Sequence, residues 1–250
     1  MQIHKHEIDS TTVGRAVLEL SGPYDADFAR LEDEYARVHR PLYVVYKAPI
    51  EDIASIQQLE DHGFRFVETQ LRLTFRLRKH FDTGKTPYVF ERVTTEDQLR
   101  DALAIAAATF TDDRFLVDPK LADAAKVSSE RYQAYVRQSF NRPDERVYRL
   151  VNPATGHAVA FKTHRIVAPD EALMLLGGVH PDYKSAGVAP INAFHEFNEL
   201  MRNGVKRFTT HVSARNYGVM NLEISGLQYR VKQTFIVLRK LYSTTSSAAP

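Results

Sequence analysis

The stretch from Ala172 to Asn203, ALMLLGGVHPDYKSAGVAPINAFHEFNELMRN, constrains this chain more than any other. Its apolar run, Ala172 to Val179, is long enough for a buried strand. His180-Pro181-Asp182 ends that run, because proline cannot extend a sheet ladder. Lys184-Ser185-Ala186-Gly187-Val188-Ala189 follows, and a helix is expected to open at Pro190, where proline is tolerated. Small residues there let several backbone N–H groups converge on one anion with no Cβ in the way, and the helix dipole adds positive potential. The segment reads as a strand, a pyrophosphate cradle and a helix.

That order resembles motif A of the GNAT acyltransferase superfamily, a strand, then [Q/R]-x-x-G-x-[G/A], then a helix. In the superfamily the loop holds the pyrophosphate of acetyl-CoA. Here it reads K-S-A-G-V-A, so Lys184 supplies a cation without the planar fork of arginine. The resemblance implies an α/β GNAT fold with a mixed sheet. It assigns contacts with acetyl-CoA, or another acyl-CoA, to Gly178, Val179, Lys184, Ser185, Ala186, Gly187, Val188 and Ala189.

The remaining chain fits a truncated copy followed by a complete one. From Met1 to Arg78 the pattern predicts a strand over 13–20, a helix over 26–39, a strand over 42–46, a helix over 50–61 stopped by His62-Gly63, and a strand over 64–77. LEDHGFRFVETQLRLTFRL resembles the end of a GNAT domain, yet no phosphate loop precedes it. Residues 1–80 are therefore expected to bind no CoA and to help frame the acceptor pocket or a homodimer interface. His80 to Lys85 reads as a linker, residues 86–243 as the catalytic domain, and 244–250 as a disordered tail. Within the catalytic part, Thr94-Thr95-Glu96-Asp97 caps one helix, Ser128 or Ser129 a second, and Val147 to Val167 forms a hairpin around Asn152 to Gly156. Strands over 206–212 and 229–238 flank a short helix over 216–225. The truncated half, together with DRFLVDPKLADAAKVSSERYQAYVRQSF, is similar to sugar N-acetyltransferases of the dTDP-fucosamine acetyltransferase type.

Composition narrows the alternatives. A chain of 250 residues, 44% hydrophobic, can bury a sizeable core, and a net charge of +2 with dispersed Lys and Arg gives no nucleic-acid patch. No cysteine is present, so thiolate nucleophiles and disulfides are excluded and attack on the thioester must be direct. No apolar run reaches transmembrane length and the amino terminus lacks a signal-peptide core, so a soluble cytoplasmic protein is expected. Apart from His4-x-His6, the ten histidines show no metal-ligand spacing, and no metal is expected.

Acyl transfer to an amine requires the amine to lose a proton, the carbonyl oxygen to be stabilised and the leaving thiolate to be neutralised. The resemblance places a polarising backbone N–H at Gly178, Val179 or His180. Gly177-Gly178 suits a strand that splays from its neighbour, a simple bulge being the competing account. The family's acid is a Tyr in N-x(6)-Y. Asn216 matches the cofactor-contacting Asn, but Glu223 stands where the Tyr belongs. Glu223 can act only if burial raises its pKa, whereas helix carboxylates usually face water, and water is the expectation here. Tyr217, Tyr229 and an unassisted departure of the thiolate are the alternatives. As base, His211, Glu171 and His164 are the candidates. Arg114, Phe115, Tyr132 and Tyr135 lie where this architecture binds the acceptor, a small-molecule amine such as a nucleotide sugar. Helix packing is the other account of the two tyrosines. The alternatives are an amino acid, antibiotic or peptide acceptor, or a GNAT-like module that binds CoA or a partner without turnover.

Overall fold

A computed structural model describes residues 1–84, 86–110, 115, 118, 124–184 and 186–242. The expected tail, 244–250, lies outside the described residues. The chain divides into two compact units, one of Met1–Gln70 with Thr234–Pro250 and one of Leu71–Gln233. Sequence reasoning placed this boundary at the His80–Lys85 linker. Instead the chain passes from unit to unit inside two strands, because the last strand returns to pair with the first unit.

The first unit starts with β1 (Gln2–Lys5), α1 (Glu7–Val13) and β2 (Val17–Ser21). Val13, expected to begin a strand, ends a helix, because Gly14 takes the left-handed conformation (φ 74°) that closes it. Then follow α2 (Phe28–His39), β3 (Tyr43–Pro49), α3 (Ile53–Asp61) and the first half of β4 (Arg65–Arg76). Strands β2 and β3 run parallel with α2 as crossover, and residues from Phe235 onward pair antiparallel with β3. Phe28 and Tyr35, two turns apart on α2, bury against Leu18, Leu20, Val44 and Tyr46.

In the second unit β5 (Val89–Arg92), α4 (Glu96–Thr109) and α5 (Ala124–Asn141) precede a meander of β6 (Glu145–Val151), β7 (Ala158–Ala168) and β8 (Glu171–Val179). Then come α6 (Val188–Arg202), β9 (Arg207–Ser213), α7 (Tyr217–Met220), a π-helical turn over Asn221–Gly226, and β10 (Arg230–Leu241). The order β9-β8-β7-β6-β5 is antiparallel except at β8–β9. Thr95 caps α4 reciprocally with Gln98, as the sequence implied. Ser128 and Ser129, expected as caps, lie inside α5, which already starts at Ala124. Alternation along β7 separates the two faces of the sheet. Phe161 packs among Leu99, Ala102, Ile105 and Val136 of α4 and α5, while Lys162 reaches α6.

Candidate active site

The expected splay is present. Strand β8 pairs with β9 over only three positions, Glu171↔Arg207, Ala172↔Phe208 and Leu173↔Thr209. Immediately afterwards the β7 register slips, His164 facing Met174 and Thr163 facing Leu176, so Leu175 is an inserted residue. Such a bulge bends its strand and increases its twist, and here it coincides with the parting from β9. The slip lies before the glycine pair rather than at it. The glycines have a different task. A Cβ on Gly177 would meet Lys162 Cδ at 2.8 Å, and one on Gly178 would meet Phe161 Cε1 at 2.8 Å. They admit neighbouring side chains across the sheet.

Backbone polarity along β8 follows from one bond. His180 N donates to Val159 O at 2.8 Å, so by strand alternation Gly178 also faces β7, and Val179 turns its N–H toward the side that β9 has left. Of the three expected carbonyl-polarising positions, Val179 alone has the required direction. Beyond it a short turn (Pro181–Tyr183) leads into the loop, where Gly187 sits at φ 69° with open space around a hypothetical Cβ. Helix α6 begins at Val188, two residues earlier than expected. Pro190 is tolerated because first-turn N–H groups have no intrahelical acceptor. Gly187, Val188 and Ala189 thus present backbone donors at a helix N-terminus beside the exposed Lys184 and Ala186, whereas Ser185 lies outside the described residues.

Beneath this cleft lies a buried polar cluster. Glu196 of α6 is 0% exposed, with Oε1 3.2 Å from His164 Nδ1 and Oε2 3.6 Å from Lys162 Nζ. Lys162 Nζ also lies 3.2 Å from Met174 Sδ, and His164 stacks on Tyr148. Glu223, in the π-helical turn, is 4% exposed rather than facing water, and its Oε2 has no hydrogen-bond partner. Burial pushes the Glu223 carboxyl up to about 7; Lys162 opposes this and the charge of Glu196 adds to it. The turn is closed by Leu227 N donating to Leu222 O at 2.8 Å, five residues back, the bond of a π-helical turn.

The other proton donors fit less well. Tyr229 is buried and its hydroxyl is driven well above 10 by burial and by Glu223 and Glu196, while Tyr217 is 72% exposed. A thiolate whose conjugate acid titrates near 8.5 takes a proton readily from an acid near 7 and poorly from one far above 10. Asn216 caps α7, accepting from Val219 N at 3.2 Å. His211 is exposed, on β9 beyond the last residue paired with β8. Glu171 is held by Arg207 (3.1 Å) and Thr209 (3.3 Å) at the closed end of the splay. Phe115, Tyr132 and Tyr135 gather around one cation, with Phe115 buried and the two tyrosines half-buried. The Arg131 guanidinium, itself buried, lies 5.0, 5.2 and 5.1 Å from their rings, and Tyr132 stacks on Phe110. Arg114 lies outside the described residues. Lys162 and Glu196 went unread in the sequence. The signal was a lysine inside the strand segment AVAFKTHRI, two residues before His164, and a glutamate one turn after Asn192 on the buried face of its helix.

Among the described residues no group of three His, Asp or Glu is placed to hold a metal, and no helix is long and apolar enough to cross a membrane. No family model and no curated protein matches the sequence. Solved structures do. A GCN5-related N-acetyltransferase from Sphaerobacter thermophilus matches with a TM-score of 0.65 and 16% identity over 90% of this chain and 73% of that one. A tandem GNAT protein from the clavulanic acid biosynthesis pathway matches with a TM-score of 0.60 and 13% identity over 90% and 75%. A GCN5-related N-acetyltransferase from Kribbella flavida matches at 0.59 and 14% over 91% and 82%. These superpositions show that this chain has the fold of the GCN5-related N-acetyltransferases.

Proposed function

We propose that the protein is an acyl-CoA-dependent N-acyltransferase that moves an acetyl or short acyl group to a primary amine by direct attack. The observation that carries this reading is the parting of β8 from β9 beside a glycine-led helix N-terminus, with a near-neutral buried carboxyl, Glu223, on the following helical segment. An extended arm fits between strands that have separated, and an anionic pyrophosphate fits the donors of Gly187, Val188 and Ala189. Bound there, acyl-CoA supplies the activated thioester. In this reading Val179 N–H polarises the carbonyl oxygen and Glu223 gives its proton to the departing thiolate. The buried His164–Glu196 pair is a base candidate with a fixed tautomer, because a carboxylate on Nδ1 leaves Nε2 as acceptor. His211 remains the exposed alternative.

For the acceptor we favour the amine of a nucleotide-linked amino sugar, supported by the resemblance of the amino-terminal half and the 113–140 region to sugar N-acetyltransferases. Calorimetric titration with acetyl-CoA tests the first step, and a thiol-release assay with amino-sugar nucleotides, amino acids and peptides tests the second. Acetyl-CoA binding without thiol release for any amine would favour a non-catalytic module.

A further inference from the structure

The second unit holds a cavity of about 940 Å³ lined by Thr74, Phe75, Phe81, Phe194, Gln228 and four cations, Arg76, Arg78, Lys79 and Arg230. No carboxylate lines it, and none of the four cations makes a side-chain hydrogen bond or ion pair among the described residues. Several arginines elsewhere are neutralised. Arg142, Arg149, Arg165 and Arg202 each hold a carboxylate within 3.0 Å. Four unpaired cations around one hollow is a potential that draws a polyanion. Behind them the aromatic rings make an apolar floor, with Phe81 stacked on Phe194 at 4.8 Å. Gln228, on the rim, has φ 60°, a left-handed conformation that costs a side-chain-bearing residue energy and is held only where the surroundings impose it.

Position separates this hollow from the phosphate loop. Asn198 fastens the rim segment, accepting from Phe81 N at 2.8 Å and donating to Phe81 O at 2.9 Å. Asn198 lies in the C-terminal half of α6, and the loop is at its N-terminus. Asn198 is ten helical residues, about 15 Å, from Val188, and Phe194, which lines the hollow, is six residues, about 9 Å, from it. The cavity nevertheless shares its elements with the chemistry. Phe194 is two residues from Glu196, and Gly226 to Gln228 continue the turn that carries Glu223.

We propose that this cavity seats the acidic end of the amine acceptor, a group with at least two negative charges carried on a planar or apolar body, of which a nucleoside diphosphate is the representative. Assigning that group to the acceptor rests on the acyltransferase reading; the binding of a polyanion does not. The adenosine phosphate end of acyl-CoA has the same chemistry, so the test must tell the two apart.

Calorimetry on the full chain with UDP, pyrophosphate and uridine, at about 50 and about 300 mM salt, provides the test. UDP is expected to bind, uridine far more weakly, and UDP affinity to fall severalfold at the higher salt. The double variant Arg78→Glu/Arg230→Glu is expected to weaken UDP at least tenfold and leave acetyl-CoA affinity within about twofold. Arg78→Gln/Arg230→Gln, milder toward folding, should show the same order with a smaller loss, and thermal melts verify that both variants fold. UDP binding that ignores these substitutions, or no UDP binding, overturns the proposal. A parallel loss of acetyl-CoA affinity assigns the cavity to the cosubstrate and overturns it equally. Wild-type protein that binds UDP through these arginines but never binds acetyl-CoA supports the polyanion site and defeats the acyltransferase reading instead.

Discussion

The two units contain the same strand–helix–strand crossover, closed in one and open in the other. In the first, β2 and β3 stay in register from Val17↔Tyr43 to Leu20↔Tyr46, nearly the whole of β2. In the second, nine-residue β8 keeps only three residues against β9 before a bulge turns it away. The connecting loops differ too. Gly22-Pro23-Tyr24-Asp25-Ala26-Asp27 presents two carboxylates ahead of α2, where Lys184 to Gly187 presents a cation and small residues ahead of α6. A pyrophosphate would be repelled by the first loop and held by the second. Two carboxyls, the half-buried Glu19 and the buried Glu223, diverge in the same way. Burial alone would raise the Glu19 carboxyl, but His6 at 3.1 Å and Lys47 at 3.0 Å hold it down at about 2. Glu223 has no hydrogen bond on Oε2, and burial takes it up to about 7. One crossover is built to close and stay charged, the other to open and hold a proton.

The strongest test of that contrast is Gly187→Glu. It sets a carboxylate and a left-handed strain at the mouth of α6, and acetyl-CoA affinity is expected to fall at least roughly a hundredfold with the fold intact. Unchanged affinity in a folded variant would remove the loop from the site. Next is Glu223→Gln, expected to lower turnover by roughly a hundredfold while acetyl-CoA affinity holds. Wild-type turnover should decline as pH rises through about 7, where the acid loses its proton, and the variant should lack that step. Identical pH–rate profiles would rule out Glu223 as the donor.

Stability gives a paired test with opposite signs. The folded-state pKa of Glu223 lies above its ordinary 4.5, so the wild type is penalised progressively as pH rises from 4.5 to about 7. Glu223→Gln should therefore be more stable than wild type above pH 7, by about 2 kcal/mol, with no difference near pH 4. Glu19 is depressed, so its contribution is present above 4.5 and lost as pH falls toward 2. Glu19→Gln should cost about 2 kcal/mol at pH 7, the gap closing in acid. Urea titrations at pH 4, 6 and 8 read both, and a Glu223→Gln variant destabilised at pH 8 would contradict the buried neutral acid. The smallest effect is expected at the closed crossover. Asp25→Lys should leave acetyl-CoA affinity within about twofold, because removing a repulsion does not open paired strands; a new binding event would show that loop charge alone distinguishes the units.

Local rules made much of this legible in the sequence. The apolar run ending at Val179, the proline stop, the small-residue loop, the cap at Thr95 and the turn at Asn152 are signals carried by neighbours, and the elements appear where those neighbours placed them. Local rules also misplaced elements. Val13 follows the spacing of a strand but closes a helix at Gly14, and Ser128 has the chemistry of a cap but is buried mid-helix, because tertiary packing outweighs weak propensities. What only the tertiary structure decided is the set of long-range coincidences. Lys162, His164, Glu196 and Glu223 come from three separate stretches, and their burial sets the protonation of Glu223. Arg76, Arg78, Lys79 and Arg230, more than a hundred and forty residues apart at the extremes, share one hollow. The return of the chain from Thr234 to β3 moved the unit boundary away from the linker. A sequence fixes which residues can be helix, strand or cap over a few positions; desolvation and charge depend on what folds against them from elsewhere.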